Sequence, residues 1–266
     1  MRGIYIIPNA FTAANLACGF LAIVRLTEGS MTAVKEAAWL ILLANIFDML
    51  DGRVARWTKA TSKFGVQFDS LADLVAFGVA PGLLIYIYSI KTWPFWGGLA
   101  AFAYVLCGAA RLARFNVQAS VESGGSSHFF VGCPIPAAAS FLAASVIVDL
   151  EQAYTLAPTV YLFLVLVGGF AMVSTFPYPS MKKRRHKMKK KTAIPLGVLV
   201  AVVLIFALMT YKMSVFFFLI FTYFISGPLW RLARLFRGPS VTTAAINKEV
   251  NCAEADYVEV DCKDEK

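Results

Sequence analysis

The chain has 266 residues, of which 59% are hydrophobic and only 15% charged, with a net charge of +9. A soluble domain carries roughly a quarter charged residues, so a soluble domain, a disordered chain and a disulfide scaffold all fit poorly. A polytopic membrane protein fits. The five cysteines, Cys18, Cys107, Cys133, Cys252 and Cys262, lack metal-type spacing and read as reduced thiols. Met1-Arg2-Gly3 runs straight into apolar sequence with no cleavable signal pattern.

A bilayer span needs about 20 apolar residues. The runs free of Asp, Glu, Lys and Arg are 3–24, 37–47, 74–90, 92–110, 129–148, 152–181, 192–211 and 213–230. They predict an all-α fold of about eight transmembrane helices. Two runs are unusual. The run 37–47 is short and continues into Asp48-Met49-Leu50-Asp51, and 74–90 is preceded by Asp69 and Asp73. Both reach full length only with those aspartates inside the membrane. The aromatics Phe216, Phe217 and Phe218 of the last run read as lipid-facing or packing residues.

Basic residues set the orientation. With the N-terminus cytoplasmic, eighteen of the 25 Lys and Arg fall at cytoplasmic ends, and only Arg25, Lys35, Lys91 and Lys212 fall outside. That asymmetry predicts a multi-pass cell-membrane protein with both termini cytoplasmic. The run 181–191 (MKKRRHKMKKK) reads as an anchor against anionic lipid, with no nucleic-acid partner expected. Residues 1–237 are expected to form one transmembrane catalytic domain. Residues 238–266 turn polar and acidic and read as a disordered cytosolic tail.

Of 16 acidic residues, seven lie in the tail, and four of the other nine are Asp48, Asp51, Asp69 and Asp73. An aspartate inside a span costs a few kcal/mol and marks function by default. Asp48 and Asp51 are three apart, and Asp69 and Asp73 four apart, so each pair shares a helix face. The midpoints of 51 with 69 and of 48 with 73 fall near residue 60. A helical hairpin turning there sets the four carboxylates at matching depths. Gly52 and Ala55 share the first face and Gly65 the second, and such small residues let backbones approach and leave room for a ligand. Four anions so close need neutralising. Two divalent metal ions held by oxygen ligands alone, Mg²⁺, Mn²⁺ or Ca²⁺, would do so and could clamp a phosphoryl-type displacement. A cation or proton path through a transporter is the alternative that the carboxylates leave open.

The stretch reads Asp48-x-x-Asp51-Gly52-x-x-Ala55-Arg56, then eight residues, then Gly65-x-x-x-Asp69-x-x-x-Asp73. It resembles, without departure, the signature of the CDP-alcohol phosphotransferase family. Ile7-Pro8-Asn9 through Thr12 resembles the family's entry to its first span, and Phe77-Gly78-Val79-Ala80-Pro81, Arg111-Leu112-Ala113-Arg114-Phe115-Asn116 and Gly132-Cys133-Pro134-Ile135-Pro136 are similar to the phosphatidylserine synthase branch. Cys133 is the one unexpected residue among them. The resemblance implies a six-helix core, here with two extra spans, often dimeric, with a site open to the cytosol. It also implies transfer of a phosphatidyl group from CDP-diacylglycerol to the hydroxyl of L-serine, with release of CMP.

By the same resemblance, Asp48, Asp51, Asp69 and Asp73 hold the metals and Asp73 accepts the proton of the attacking hydroxyl. Asn9, Thr12, Gly52, Arg56, Ser62 and Gly65 would bind the CDP-lipid. Helix capping is the plainer role for Asn9 and Thr12, and membrane anchoring for Arg56. Arg111, Arg114 and Asn116 would bind serine, Arg being suited to bidentate carboxylate contacts; anchoring is again the alternative. The Gly- and Ser-rich segment 117–131, with His128, reads as a cover near the site. Glycerol 3-phosphate or inositol phosphate as acceptor, and an archaeal-type lipid donor, remain open alternatives.

Overall fold

The computed structural model describes residues 6–58, 62–121, 129–152, 156–174 and 177–179, with Phe217, Phe221 and Thr222. Helix α1 (Ile6–Leu26) turns through residues 27–30 into α2 (Met31–Thr58). Ser30 caps α2 by accepting the Ala33 N–H at 3.1 Å. The next rod starts with α3 (Lys63–Asp73), capped by Ser62, whose Oγ accepts the Gly65 N–H at 2.9 Å. It widens into a π-helical turn (Leu74–Val79) and continues as α4 (Ala80–Tyr88). A 3-10 turn (Ile90–Thr92) leads to α5 (Pro94–Val121), then strand β1 (Phe129–Val131), α6 (Ile135–Gln152), α7 (Pro158–Val173) and strand β2 (Pro177–Pro179).

Among the described residues this is a helical bundle with one antiparallel ribbon, in which Phe129 pairs with Pro179 and Val131 with Pro177. Three stretches are long and apolar enough to cross a membrane: Asn9–Leu26, Phe64–Tyr88 and Pro94–Val117. Helix α2 is also long but carries Asp48, Asp51, Arg53 and Arg56 in its second half. It runs unbroken through the two aspartates, as the short run 37–47 required.

Two expected spans are corrected. The run 129–148 does not begin as a helix: Phe129–Val131 is a strand, and α6 starts at Ile135. The cause is the sequence Gly132-Cys133-Pro134. Gly132 takes φ +85°, and the Pro134 carbonyl accepts the first helical N–H groups, from Ala137 and Ala138. The run 152–181 holds only the 16-residue helix α7, which starts at Pro158 and stops before the Pro177–Pro179 strand. Freedom from charge does not distinguish helix from the turn and strand that flank it. Likewise the expected cover 117–131 is helix up to Val121 and strand from Phe129, with His128 outside the described residues. The run 192–211 and the tail 238–266 also lie outside them. Of the run 213–230, Phe217 and Phe221 stack on Phe141 of α6, with centroids 5.4 and 6.0 Å away; Phe217 packs as expected, Phe221 keeps an exposed side, and Phe216 and Phe218 lie outside the described residues.

The core is lined by small residues such as Ala22, Ala37, Ala76, Ala80, Ala138 and Ala143, all fully buried. Small side chains let helices approach closely where no hydrophobic drive exists between them. The bundle has two polar ends. At one, the Asp149 carboxylate accepts from Tyr88 (2.8 Å), Tyr161 (3.0 Å) and the Leu156 N–H (3.1 Å), which locks the α6–α7 turn to α4. Half-exposed pairs of Arg25 with Glu28 and Glu36, and of Lys35 with Glu151, surround it. At the other end Arg114 Nη1 donates to the Val173 carbonyl at 3.3 Å, and the Cys133 N–H donates to Ala171 at 2.9 Å.

Gly132 is held tightly there. A Cβ at this position would lie 2.5 Å from the Met172 carbonyl oxygen and 2.9 Å from that of Ser174, in a backbone conformation that side chains rarely adopt. Gly132→Ala is therefore expected to destabilise the protein by about 2–4 kcal/mol through backbone strain and overpacking together. Thermal unfolding in detergent measures it; an unchanged midpoint would contradict the packing at this turn.

Candidate active site

The α2–α3 hairpin carries the acidic residues as the spacing predicts. One carboxylate oxygen from each of Asp48, Asp51 and Asp69 lies within 4.8 Å of the others. Asp51 and Asp69 meet across the hairpin, and Asp48 is the carboxylate whose charge acts most on Asp73. The pairing of 51 with 69 follows the spacing, whereas Asp48 groups with that pair and not with Asp73 alone. The tight cluster, however, contains three carboxylates, and Asp73 stands beside it on a different partner.

That partner is on α1. Asn15 Nδ2 donates to Asp73 Oδ1 at 2.9 Å, and Thr12 Oγ1 donates to Asp51 Oδ2 at 3.1 Å. Asn9, one turn earlier, brings its Oδ1 to within 3.4 Å of where a Gly65 Cβ would stand, and the Ser62 Oγ lies 3.1 Å from the same point. Residues 9, 12 and 15 recur every three positions, so one face of α1 follows the hairpin from its turn to its deepest carboxylate. Neither Asn9 nor Thr12 caps α1, which begins at Ile6. Ser62 does act as a cap, for α3.

Asn15 is the functional residue that sequence reasoning missed. The signal was present: an amide inside an apolar run, three residues beyond Thr12, is expensive unless it has a partner. Asn45 is a second such case. It lies three residues before Asp48 and donates to Ser140 of α6 at 2.7 Å.

The electrostatics favour a cation. Asp51 and Asp73 are only 5% and 8% exposed, and Asp69 Oδ1 is buried with no hydrogen-bond partner. Three carboxylates within ligand reach of one another, one of them with an orphaned oxygen, fit a divalent cation such as Mg²⁺ or Mn²⁺, which prefers oxygen ligands. Gly52 borders space: a Cβ there would meet no atom within 4 Å. Arg56 lies near the end of α2, with its side chain outside the described residues.

The predicted serine-binding residues separate. Arg111 lies close enough to Asp48 for its charge to act there. Arg114 is turned toward the end of α7. Asn116 Nδ2 donates to Ser70 Oγ at 2.9 Å and approaches Gln67 Oε1 at 3.5 Å, tying α5 to α3.

The CDP-alcohol phosphatidyltransferase family model matches residues 5–170, which include every residue of this site. The chain belongs to this family. It is accordingly a phosphatidyl-transfer enzyme of phospholipid synthesis and an integral membrane protein. It is 41% identical over 188 residues to a Helicobacter pylori (strain J99) protein named CDP-diacylglycerol–serine O-phosphatidyltransferase, covering 70% of this chain and 77% of that one. A Bacillus subtilis (strain 168) protein of the same name is 36% identical over 177 residues, 66% of this chain and 92% of that one. An archaetidylserine synthase of Methanothermobacter thermautotrophicus is 35% identical over 175 residues, 65% of this chain and 69% of that one.

Proposed function

We propose that this family member is a CDP-diacylglycerol–serine O-phosphatidyltransferase. The observation that carries the chemistry is the cluster of Asp48, Asp51 and Asp69 with Asp73 beside it. The acceptor rests on the relatives: the bacterial and archaeal names share serine and differ in the lipid. The same difference leaves an archaeal-type lipid as the second reading for the donor.

Asp48, Asp51 and Asp69 would hold divalent metal, two ions if Asp73 also lends an oxygen. The metal would supply positive charge for the pyrophosphate and for the departing CMP. Asp73 accepts the proton of the serine hydroxyl as its oxygen forms the new bond to the lipid-linked phosphorus. The bond from that phosphorus to CMP breaks, and CMP leaves with the electron pair. Arg111, whose charge reaches Asp48, takes the serine carboxylate. Arg114 and Asn116 then serve by fixing the end of α5 that presents it. Asn9, Thr12, Gly52, Ser62 and Gly65 form the wall along which the CDP-lipid lies, and Arg56 binds its phosphates.

The same proposal places both termini and the open side of the site in the cytosol, on the asymmetry of basic residues. It also includes a homodimer, on the family resemblance, and a division into a catalytic domain 1–237 and a polar tail 238–266, on the change of composition.

Purified protein in detergent, given CDP-diacylglycerol and Mg²⁺ or Mn²⁺, is expected to release CMP only when L-serine is added. Release with glycerol 3-phosphate or inositol phosphate instead would replace the acceptor and keep the chemistry. No release with any acceptor would overturn the reading.

Gly52→Ala tests the wall. The added methyl meets no protein atom, and alanine is the better helix former by about 1 kcal/mol. Unfolding should therefore move slightly upward, while KM for CDP-diacylglycerol rises several-fold because the methyl occupies substrate space. An unchanged KM would remove Gly52 from the site.

A further inference from the structure

Asn15 is fully buried in α1, inside a stretch apolar enough to span a membrane. Its amide nitrogen is bonded to Asp73, yet its Oδ1 is buried with no partner. An apolar residue of the same size would avoid that unmet acceptor. A half-satisfied amide in such a place therefore points to work done for the site rather than for the fold.

The surroundings show what that work is. Directly after Asp73 the helix widens into the π-helical turn Leu74–Val79, a feature that tends to mark functional sites. The Tyr104 hydroxyl donates to the Phe77 carbonyl at 3.2 Å within this turn. Gly19, one turn beyond Asn15, faces the same turn so closely that a Cβ would lie 2.6 Å from Ala76 Cα. Asp73 is therefore fixed from two sides: by the widened turn that carries it and by α1 pressed against that turn.

We propose that Asn15 is a positioning residue for phosphatidyl transfer. Its amide N–H engages Asp73 Oδ1, holds that carboxylate apart from the cluster of Asp48, Asp51 and Asp69, and leaves Oδ2 to face the acceptor hydroxyl. The proposal deepens the functional reading above and rests on it. Asn15 does not touch the reacting atoms; it acts through Asp73. A carboxylate misplaced by about 1 Å can lose on the order of 100-fold in rate.

The test is Asn15→Leu, which keeps the volume and removes the donor, with Asn15→Ala as a smaller second variant. Both are assayed for CMP release as full-length protein beside the wild type. The expected result is a fall in kcat of about 100-fold per folded protein, with KM for CDP-diacylglycerol and serine within about threefold, while the unfolding midpoint drops only modestly because Asp73 Oδ1 loses its partner. In an Asp73→Asn background, where residual turnover is followed with radiolabelled CDP-lipid, adding Asn15→Leu should cause no further loss. Full turnover in both variants would overturn the proposal. So would activity that falls only in step with the folded fraction, or an equal further loss on top of Asp73→Asn. The wild type is run with serine and with other alcohols. If it turns over a different alcohol, the serine reading fails and the Asn15 comparison is made on that alcohol.

Discussion

Asp69→Asn is expected to abolish serine-dependent CMP release and yet leave the cation-free protein at least as stable as the wild type. The two effects share one cause. Asp48, Asp51 and Asp69 bring carboxylate oxygens within 4.8 Å of one another. At an effective dielectric of 20, like charges at that distance repel by roughly 3 kcal/mol per pair. Removing one charge relieves two of the three repulsions. The oxygen lost is also costly where it stands, because Asp69 Oδ1 is buried with no partner. A divalent cation reverses this balance, since the repelling oxygens become its ligands. At about 100 times its dissociation constant it would stabilise the folded state by about 2.7 kcal/mol. Thermal unfolding with Mn²⁺ and with EDTA reads both halves. The wild-type midpoint should rise with Mn²⁺, and that of Asp69→Asn should not. An active Asp69→Asn enzyme, or a wild type whose unfolding ignores the cation, would break the metal reading.

The hairpin was legible in the sequence because helical spacing is rigid. Pairs at three and four residues fix a face, and equal midpoints fix the depth at which two such faces meet. The pairing of Asp51 with Asp69 required nothing more. What the spacing could not contain is the third helix. Thr12 and Asn15 reach the carboxylates across 39 and 58 residues of chain, and no local pattern encodes a contact of that separation. Thr12 enters through the resemblance; Asn15 stands out only as an amide among apolar neighbours, which demands a partner without naming it. The π-helical turn after Asp73 was equally hidden, since Leu74-Val75-Ala76-Phe77-Gly78-Val79 reads as ordinary helix. The runs 129–148 and 152–181 overreach their helices α6 and α7 for the opposite reason. Gly132, Pro134, Pro158 and Pro177 mark where these helices start or stop, and a run defined by the absence of charge does not register them.

Gly19→Ala probes how far the site depends on that third helix. The new methyl would stand 2.6 Å from Ala76 Cα, 2.8 Å from its Cβ and 3.0 Å from its backbone nitrogen. Contacts with backbone cannot be relieved by a rotamer change, so α1 and the π-helical turn must move apart. Overpacking of this kind costs about 1–3 kcal/mol. The larger effect is expected in turnover. Asn15 lies one turn from Gly19 and Asp73 three residues before Ala76, so separating the helices stretches their 2.9 Å hydrogen bond directly. A displacement on the order of 1 Å is enough to lose about 100-fold in rate. Ala76→Gly in the same chain should restore only part of the activity, because it removes the Cβ and leaves the closer Cα. Activity and unfolding measured on both variants separate the causes. A Gly19→Ala protein that is less stable but fully active would mean that α1 supports the fold without aligning the site. Loss of turnover well beyond the loss of stability, with partial recovery in the double variant, would mean that the approach of α1 sets the reactive geometry.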